Sequence, residues 1–158
     1  MADGRGRSLA TLITPGQAAD TKQLVPLLDS VSVRRPGGIG RPRKRPDSLA
    51  ADKAYGSRAN RAALRARKIT AVIPEKSDQI ANRQRRGSRG GRPPAFDPVA
   101  YRDRNQIERG FCRRKHWRGM ATRFDKLADS YHATLTIAET LDWLRSMPHS
   151  RHDPSDTA

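Results

Sequence analysis

The chain has 158 residues and a formal net charge of +16, with 32 Lys+Arg against 16 Asp+Glu and a pI near 11.3. Hydrophobic residues make up 35% and aromatic residues 5%, which allows one small core and excludes two generous domains. The single cysteine, Cys112, excludes an internal disulfide and a cysteine zinc cluster, and no apolar run is long enough to span a bilayer.

Residues 3–7 read as a turn and residues 8–14 as a strand stopped by Pro15 and Gly16. Together they suggest a β-hairpin whose first strand is largely missing. Asp20 is placed to cap a helix through Val31, with Leu24, Leu27, Leu28 and Val31 on one face and Pro26 disturbing its first turns. Residues 34–46 form a loop carrying six basic residues and no acid. Ser48, Leu49, Ala50 and Ala51 predict a short buried strand with Asp52 at its carboxyl end. Ser57 caps a helix reaching about Lys68, with Ala62, Ala63, Leu64 and Ala66 available for packing, and residues 69–73 form another strand ended by Pro74.

Residues 76–97 hold Arg83, Arg85, Arg86, Arg89 and Arg92 among glycines and Pro93 and Pro94, the composition of a flexible basic loop. Asp97 and Pro98 suit the cap and first position of a helix running to about Trp117. A last amphipathic helix covers about 126–147, with Leu127, Tyr131, Leu135, Ala138, Leu141 and Leu144 facing inward, and the polar tail 148–158 reads as disordered. Strands alternating with helices predict an α/β domain over 1–147, with a mostly parallel sheet, flanking helices and a C-terminal helical pair.

The helix predicted after Asp97 carries the pattern Y-x2-R-x3-E-x6-K at Tyr101, Arg104, Glu108 and Lys115. At about 100° per residue these four fall within a wedge of roughly 60°. Such a face holds one carboxylate able to ligate a divalent metal, and two cations and a phenol suited to phosphates. Arg109, Arg113 and Arg114 add charge beside it. Asp52, at a strand's carboxyl end, lies where active sites collect in open α/β sheets. If the helix packs beside that strand, Asp52 and Glu108 could share Mg²⁺ or Mn²⁺, and a two-metal site would need a third acid. The simpler alternatives are that Asp52 is a cap and that Glu108 pairs with Arg104 or Arg109 on a solvated helix. His116, His132, His149 and His152 show no metal spacing, and the stretch from Gly87 to Gly91 lacks the ending of a phosphate-binding loop.

At these residues the chain resembles the DDE transposases of bacterial insertion sequences, in the related insertion-sequence families four and five. The resemblance is carried by Y-x2-R-x3-E-x6-K and by the stretch Ala51, Asp52, Lys53, Ala54, Tyr55. Gly40 to Arg43, Gly91 to Pro94, Arg123 to Lys126, and Thr14 to Asp20 are also similar to family sequence. It implies an incomplete ribonuclease H-like fold in which three acids hold two metal ions. Asp52 would be the second acid and Glu108 the third, both catalytic and metal-ligating. Tyr101, Arg104, Lys115, Arg109, Arg113 and Arg114 would contact DNA. The implied reaction is cleavage at transposon ends followed by strand transfer into target DNA. The family's first Asp lies upstream of the segment aligning with residues 3–6, and Asp3 sits in a turn that suits it poorly as a replacement.

The resemblance thus predicts the C-terminal part of a transposase, inactive alone and completed by an N-terminal reading-frame product. Its partners would be transposon and target DNA and further copies in a homodimer or larger assembly. No membrane is implied, and the location is the cytoplasm, at the nucleoid. A second reading is a non-catalytic DNA-binding fragment, a regulator or relic. A third, an RNA-associated basic protein, lacks the closely spaced aromatic platforms of single-stranded RNA readers.

Overall fold

The computed structural model describes residues 1–35, 37–122 and 125–147. The tail expected to be disordered, Pro36 of the first basic loop, and Arg123 and Phe124 of the family-like stretch lie outside the described residues. The chain forms two compact units, Met1–Arg109 and Gly110–Ala158.

The first unit is built on a strand–helix–strand element. Strands β1 (Ser48–Ala50) and β2 (Thr70–Val72) pair in parallel, with Ser48 opposite Thr70, Leu49 opposite Ala71 and Ala50 opposite Val72. Parallel strands require a crossover, and helix α2 (Arg58–Ala66) provides it. The Ser57 hydroxyl caps α2 by accepting from the Asn60 N–H at 3.2 Å, as the sequence predicted. Lys68 closes the connection in the left-handed region at φ 55°, and the Ile69 N–H returns to the Leu64 carbonyl at 2.9 Å. Leu64, Ile69 and Ile73 pack with Leu24 and Leu28 of helix α1 (Leu24–Asp29) to form the core. Leu64 and Ile73 are fully buried; fully burying a side chain of this kind contributes about 1.5–3 kcal/mol.

Several elements differ from expectation. Residues 3–7 turn as expected, the Asp3 N–H reaching the Arg7 carbonyl at 2.9 Å; residues 8–14 form no strand, but an antiparallel bridge joins Ala2 to Ser8 and the Leu9 N–H donates to the Met1 carbonyl at 2.9 Å. Asp20 is the first residue of a 3-10 turn (Asp20–Gln23), not a cap. Pro26 has no N–H to complete an α-helical bond from that turn, so α1 starts later. On α2, Ala62 and Ala66 are exposed, and Asn60 and Arg61 are buried in their place.

The segment 76–97 is more ordered than its composition suggests. Helix α3 (Ser77–Arg85) is followed by a 3-10 turn (Gly87–Gly90), and Arg83 is ion-paired with Glu75. Gly90 lies so close to the Arg83 carbonyl that any Cβ would overlap it. Gly90 is therefore a packing residue and not only a linker.

The single helix expected over 98–117 is two helices, α4 (Pro98–Arg102) and α5 (Asn105–Lys115). Asp97 caps α4 as predicted, accepting from Val99 and Ala100 N–H at 2.8 and 3.1 Å. At the junction the N–H groups of Arg104, Gln106 and Ile107 bond three residues back, to Tyr101, Asp103 and Arg104. Asp103 and Asn105 flank this tightened turn; short polar side chains compete with the helical backbone and favour such breaks.

In the second unit, helix α6 (Arg118–Ala121) packs on α7 (Ala128–Ser146) through Met120, Leu135 and Ala138, with Trp117 alongside. Leu127 and Leu144, expected to face inward, are 71% and 53% exposed, while Tyr131 and Leu141 are half-buried. Four residues of α6 cannot cover a helix of 19, so both ends of α7 stay open. Arg114 pairs with Glu139 at 3.0 Å and Arg113 with Asp142 at 3.7 Å.

Candidate active site

Tyr101, Arg104 and Glu108 converge although they stand on either side of the α4–α5 break. The Arg104 guanidinium lies 5.5 Å from the Tyr101 ring centroid and donates from Nη2 to Glu108 Oε1 at 2.6 Å. Phe96 also contacts Tyr101, its ring tilted 60° at a centroid distance of 5.4 Å. Glu108 is exposed, and an ion pair on such a surface contributes about 0.2–1 kcal/mol. This arrangement orders the side chains but can open for a phosphate or a metal at little cost. Glu108 thus occupies the simpler of its two predicted roles in this structure.

Asp52 lies two residues past the end of β1. Its Oδ1 accepts from the Lys53 N–H at 2.6 Å and caps a one-turn 3-10 helix, Lys53–Tyr55. The turn is held by two buried polar residues of α2. Asn60 donates to the Tyr55 and Thr21 carbonyls, each at 3.2 Å. Arg61 donates to the carbonyls of Gly56 at 3.3 Å, Ile73 at 2.9 Å and Pro74 at 3.5 Å. Burial pushes the Arg61 pKa down from its ordinary value, with Glu75 opposing and Arg65 adding to that effect. Burial also pushes the Tyr55 phenol up, reinforced by the negative charges of Asp20 and Asp52.

Asn60 and Arg61 were missed by the sequence reading, which packed α2 through alanines. The available signal was spacing: Asn60 lies four residues, and Arg61 three, before Leu64, on the face that residue buries.

The remaining predicted residues divide by environment. Arg109 and Lys115 are exposed, with no acidic partner among the described residues. Lys115 belongs to the second unit. Arg113 and Arg114 are committed to Asp142 and Glu139, and Arg114 also lies over Phe111 at 4.8 Å. Asp3 has its carboxylate occupied by the N–H groups of Arg5 and Arg7, each at 2.9 Å, and by the Arg7 side chain at 2.7 Å. Burial raises its pKa, but these hydrogen bonds outweigh it and the net shift is downward from 3.8. A depressed carboxyl adds stability above its unfolded pKa that is lost as pH falls through the folded value. The amides of Arg5 and Arg7 are therefore expected to keep their shifts down to about 3.8 and move below it in an NMR titration. Movement centred above that value would show that the turn is not held by Asp3.

Carboxylates suit a hard divalent cation, and each of Asp52 and Glu108 keeps one oxygen without a hydrogen-bond partner among the described residues. Each carboxylate therefore suits a cation by its own chemistry, and two alone would be an incomplete set. Among the described residues no group of three or more His, Cys, Asp or Glu side chains is placed to hold a metal.

Beside the parallel strand pair with an acid past its carboxyl end, and the Tyr–Arg–Glu cluster across the α4–α5 break, stands what comparison by sequence finds. The model of the family described as "Transposase DDE domain" matches residues 1–141, and the chain belongs to that family. Among curated proteins it is 33% identical over 135 residues to one described as a candidate transposase for insertion sequence element IS402 of Burkholderia cepacia. The match covers 85% of this chain and 56% of that relative, so the chain spans little more than half its length. No solved structure matches. DDE transposase domains generally use divalent metal ions. Among the described residues no helix is long and apolar enough to cross a membrane.

Proposed function

We propose that this chain is part of a ribonuclease H-like DDE catalytic domain that cleaves transposon ends and joins them to target DNA. The observation that carries the reading is the Tyr101–Arg104–Glu108 cluster, which presents a carboxylate, a guanidinium and a phenol together in a chain of this family. Asp52 and Glu108 would hold Mg²⁺ or Mn²⁺, with a third acid supplied by a preceding segment. When bound, such ions activate the attacking oxygen and stabilise the leaving one. Arg104 and Tyr101 orient the phosphodiester, and Arg109 and Lys115 neutralise flanking phosphates. Arg113 and Arg114 reach DNA only by exchanging their acids on α7 for phosphates. The working form is a homodimer or larger assembly at the nucleoid of a bacterial cytoplasm.

The test is to join this chain to a segment supplying the remainder of the relative's length and assay DNA carrying element ends. Mg²⁺-dependent nicking at those ends is expected. A second reading, a DNA-binding regulator without catalysis, is favoured by the net charge of +16. It predicts tight, salt-sensitive binding by the joined protein that is indifferent to Mg²⁺ and produces no nicks.

A further inference from the structure

At the end of the β1–β2 pair opposite Asp52, the first unit has a concavity of about 380 Å³ lined by Leu28, Asp29, Lys44, Arg45, Arg67 and Ile69. Its position follows from the topology. Arg45 and Ile69 both precede the amino ends of parallel strands, whereas Asp52 follows the carboxyl end of β1. A three-residue strand rising about 3.3 Å per residue puts roughly 10 Å between the two levels.

The lining combines a rigid apolar floor with an excess of cations. Leu28 and Ile69 are 3% and 4% exposed and belong to the core, so the floor does not move with the surface. Three cations face one acid, and that acid is engaged: Asp29 accepts from Arg67 Nη2 at 3.0 and 3.3 Å, fixing the guanidinium. Lys44 and Arg45 form no ion pair among the described residues; Arg45 feels the charge of Asp47, which is itself bound by Arg43, and its Nη1 reaches the Arg67 carbonyl at 3.5 Å. The backbone presenting them is held in place. Arg43 exchanges both main-chain hydrogen bonds with Val33, at 2.9 and 2.8 Å, and its side chain pairs with Asp47 at 2.5 Å. Unneutralised cations held over an apolar floor suit a phosphodiester whose sugar rests on that floor.

We infer that this concavity, formed by Lys44, Arg45 and Arg67, is a second DNA-backbone site, binding a phosphate away from the one cleaved near Asp52. The inference rests on DNA being the partner, but not on cleavage. Its role is to anchor the duplex, so it contributes to affinity and salt dependence and is independent of metal.

The test is fluorescence anisotropy of the full chain with a duplex DNA, in EDTA, over a series of salt concentrations. Wild type is compared with Lys44→Ala/Arg45→Ala and with Arg58→Ala/Arg65→Ala, which removes two exposed cations from α2 instead. All four side chains are exposed and outside the core, and circular dichroism checks that each variant is folded. For the pocket pair the slope of log K against log salt becomes shallower by about 1–2, as for one or two lost phosphate contacts; for the α2 pair it stays near wild type. An unchanged slope in the pocket pair, an equal loss in the α2 pair, or a larger pocket-dependent loss with a matched RNA duplex would each overturn the assignment. Because no metal is present, absence of nicking in the joined protein leaves this result standing, and a failure here leaves the cleavage reading standing.

Discussion

Glu108→Gln, in the chain joined to a segment supplying the rest of the relative's length, is expected to lower Mg²⁺-dependent nicking by about 10²–10⁴-fold while leaving DNA binding intact. The magnitude follows from the several kcal/mol of charge stabilisation that a properly held metal supplies, at about 1.4 kcal/mol per tenfold in rate. Gln preserves the volume of the side chain, and its amide oxygen can still accept from Arg104 Nη2, which now donates to Glu108 Oε1 at 2.6 Å. What is removed is the negative charge. A merely structural Glu108 would show almost nothing, because an exposed ion pair contributes about 1 kcal/mol or less. Binding separates the two roles further: loss of the negative charge removes its repulsion of phosphate, so affinity for DNA should hold or rise. Nicking at the wild-type rate in the variant would remove Glu108 from the site.

Arg61→Met is expected to destabilise the first unit by about 3 kcal/mol, a large share of the 5–15 kcal/mol typical of a folded domain. Arg61 is buried and spans three carbonyls, tying Gly56, just after the Asp52 turn, to Ile73 and Pro74 at the end of β2. Met keeps much of the apolar stem and removes every donor, leaving those carbonyls unsatisfied. With a urea slope of about 1–3 kcal/mol per molar, the unfolding midpoint should fall by roughly 1–3 M. Arg61→Lys retains one charge but not the fork, and should recover part of the loss. A midpoint unchanged in Arg61→Met would mean that Arg61 does not clamp the turn. The same clamp makes Arg61 a positioning residue for Asp52, so the Lys variant should lose nicking faster than it loses stability.

Much of this arrangement was legible from local chemistry. Ser57 and Asp97 cap where their side chains and the following residues predict, because an N-cap is decided within one turn of chain. Leu49 and Val72 sit in strands for a similarly local reason, short apolar runs bounded by prolines. The family-specific spacing of Tyr101, Arg104 and Glu108 could be read without knowing the backbone, and the three side chains do meet. What failed depended on distant partners. Residues 8–14 have strand composition but no neighbouring strand among the described residues, and residues 76–97 have loop composition yet gain a helix once Glu75 pairs with Arg83.

By itself, then, the sequence determined the charge that favours a polyanion, the caps at Ser57 and Asp97, the parallel strand–helix–strand order and the identity of the two candidate acids. Each depends on residue type or on neighbours within a few positions. Only the tertiary structure decided that Arg61 and Asn60 are interior clamps, that Arg113 and Arg114 are bound to acids on α7, and that Lys44, Arg45 and Arg67 share one concavity. An arginine has the same chemistry in every one of these settings. Whether it meets a carbonyl, a carboxylate or a phosphate depends on which elements the fold brings within reach of its long side chain.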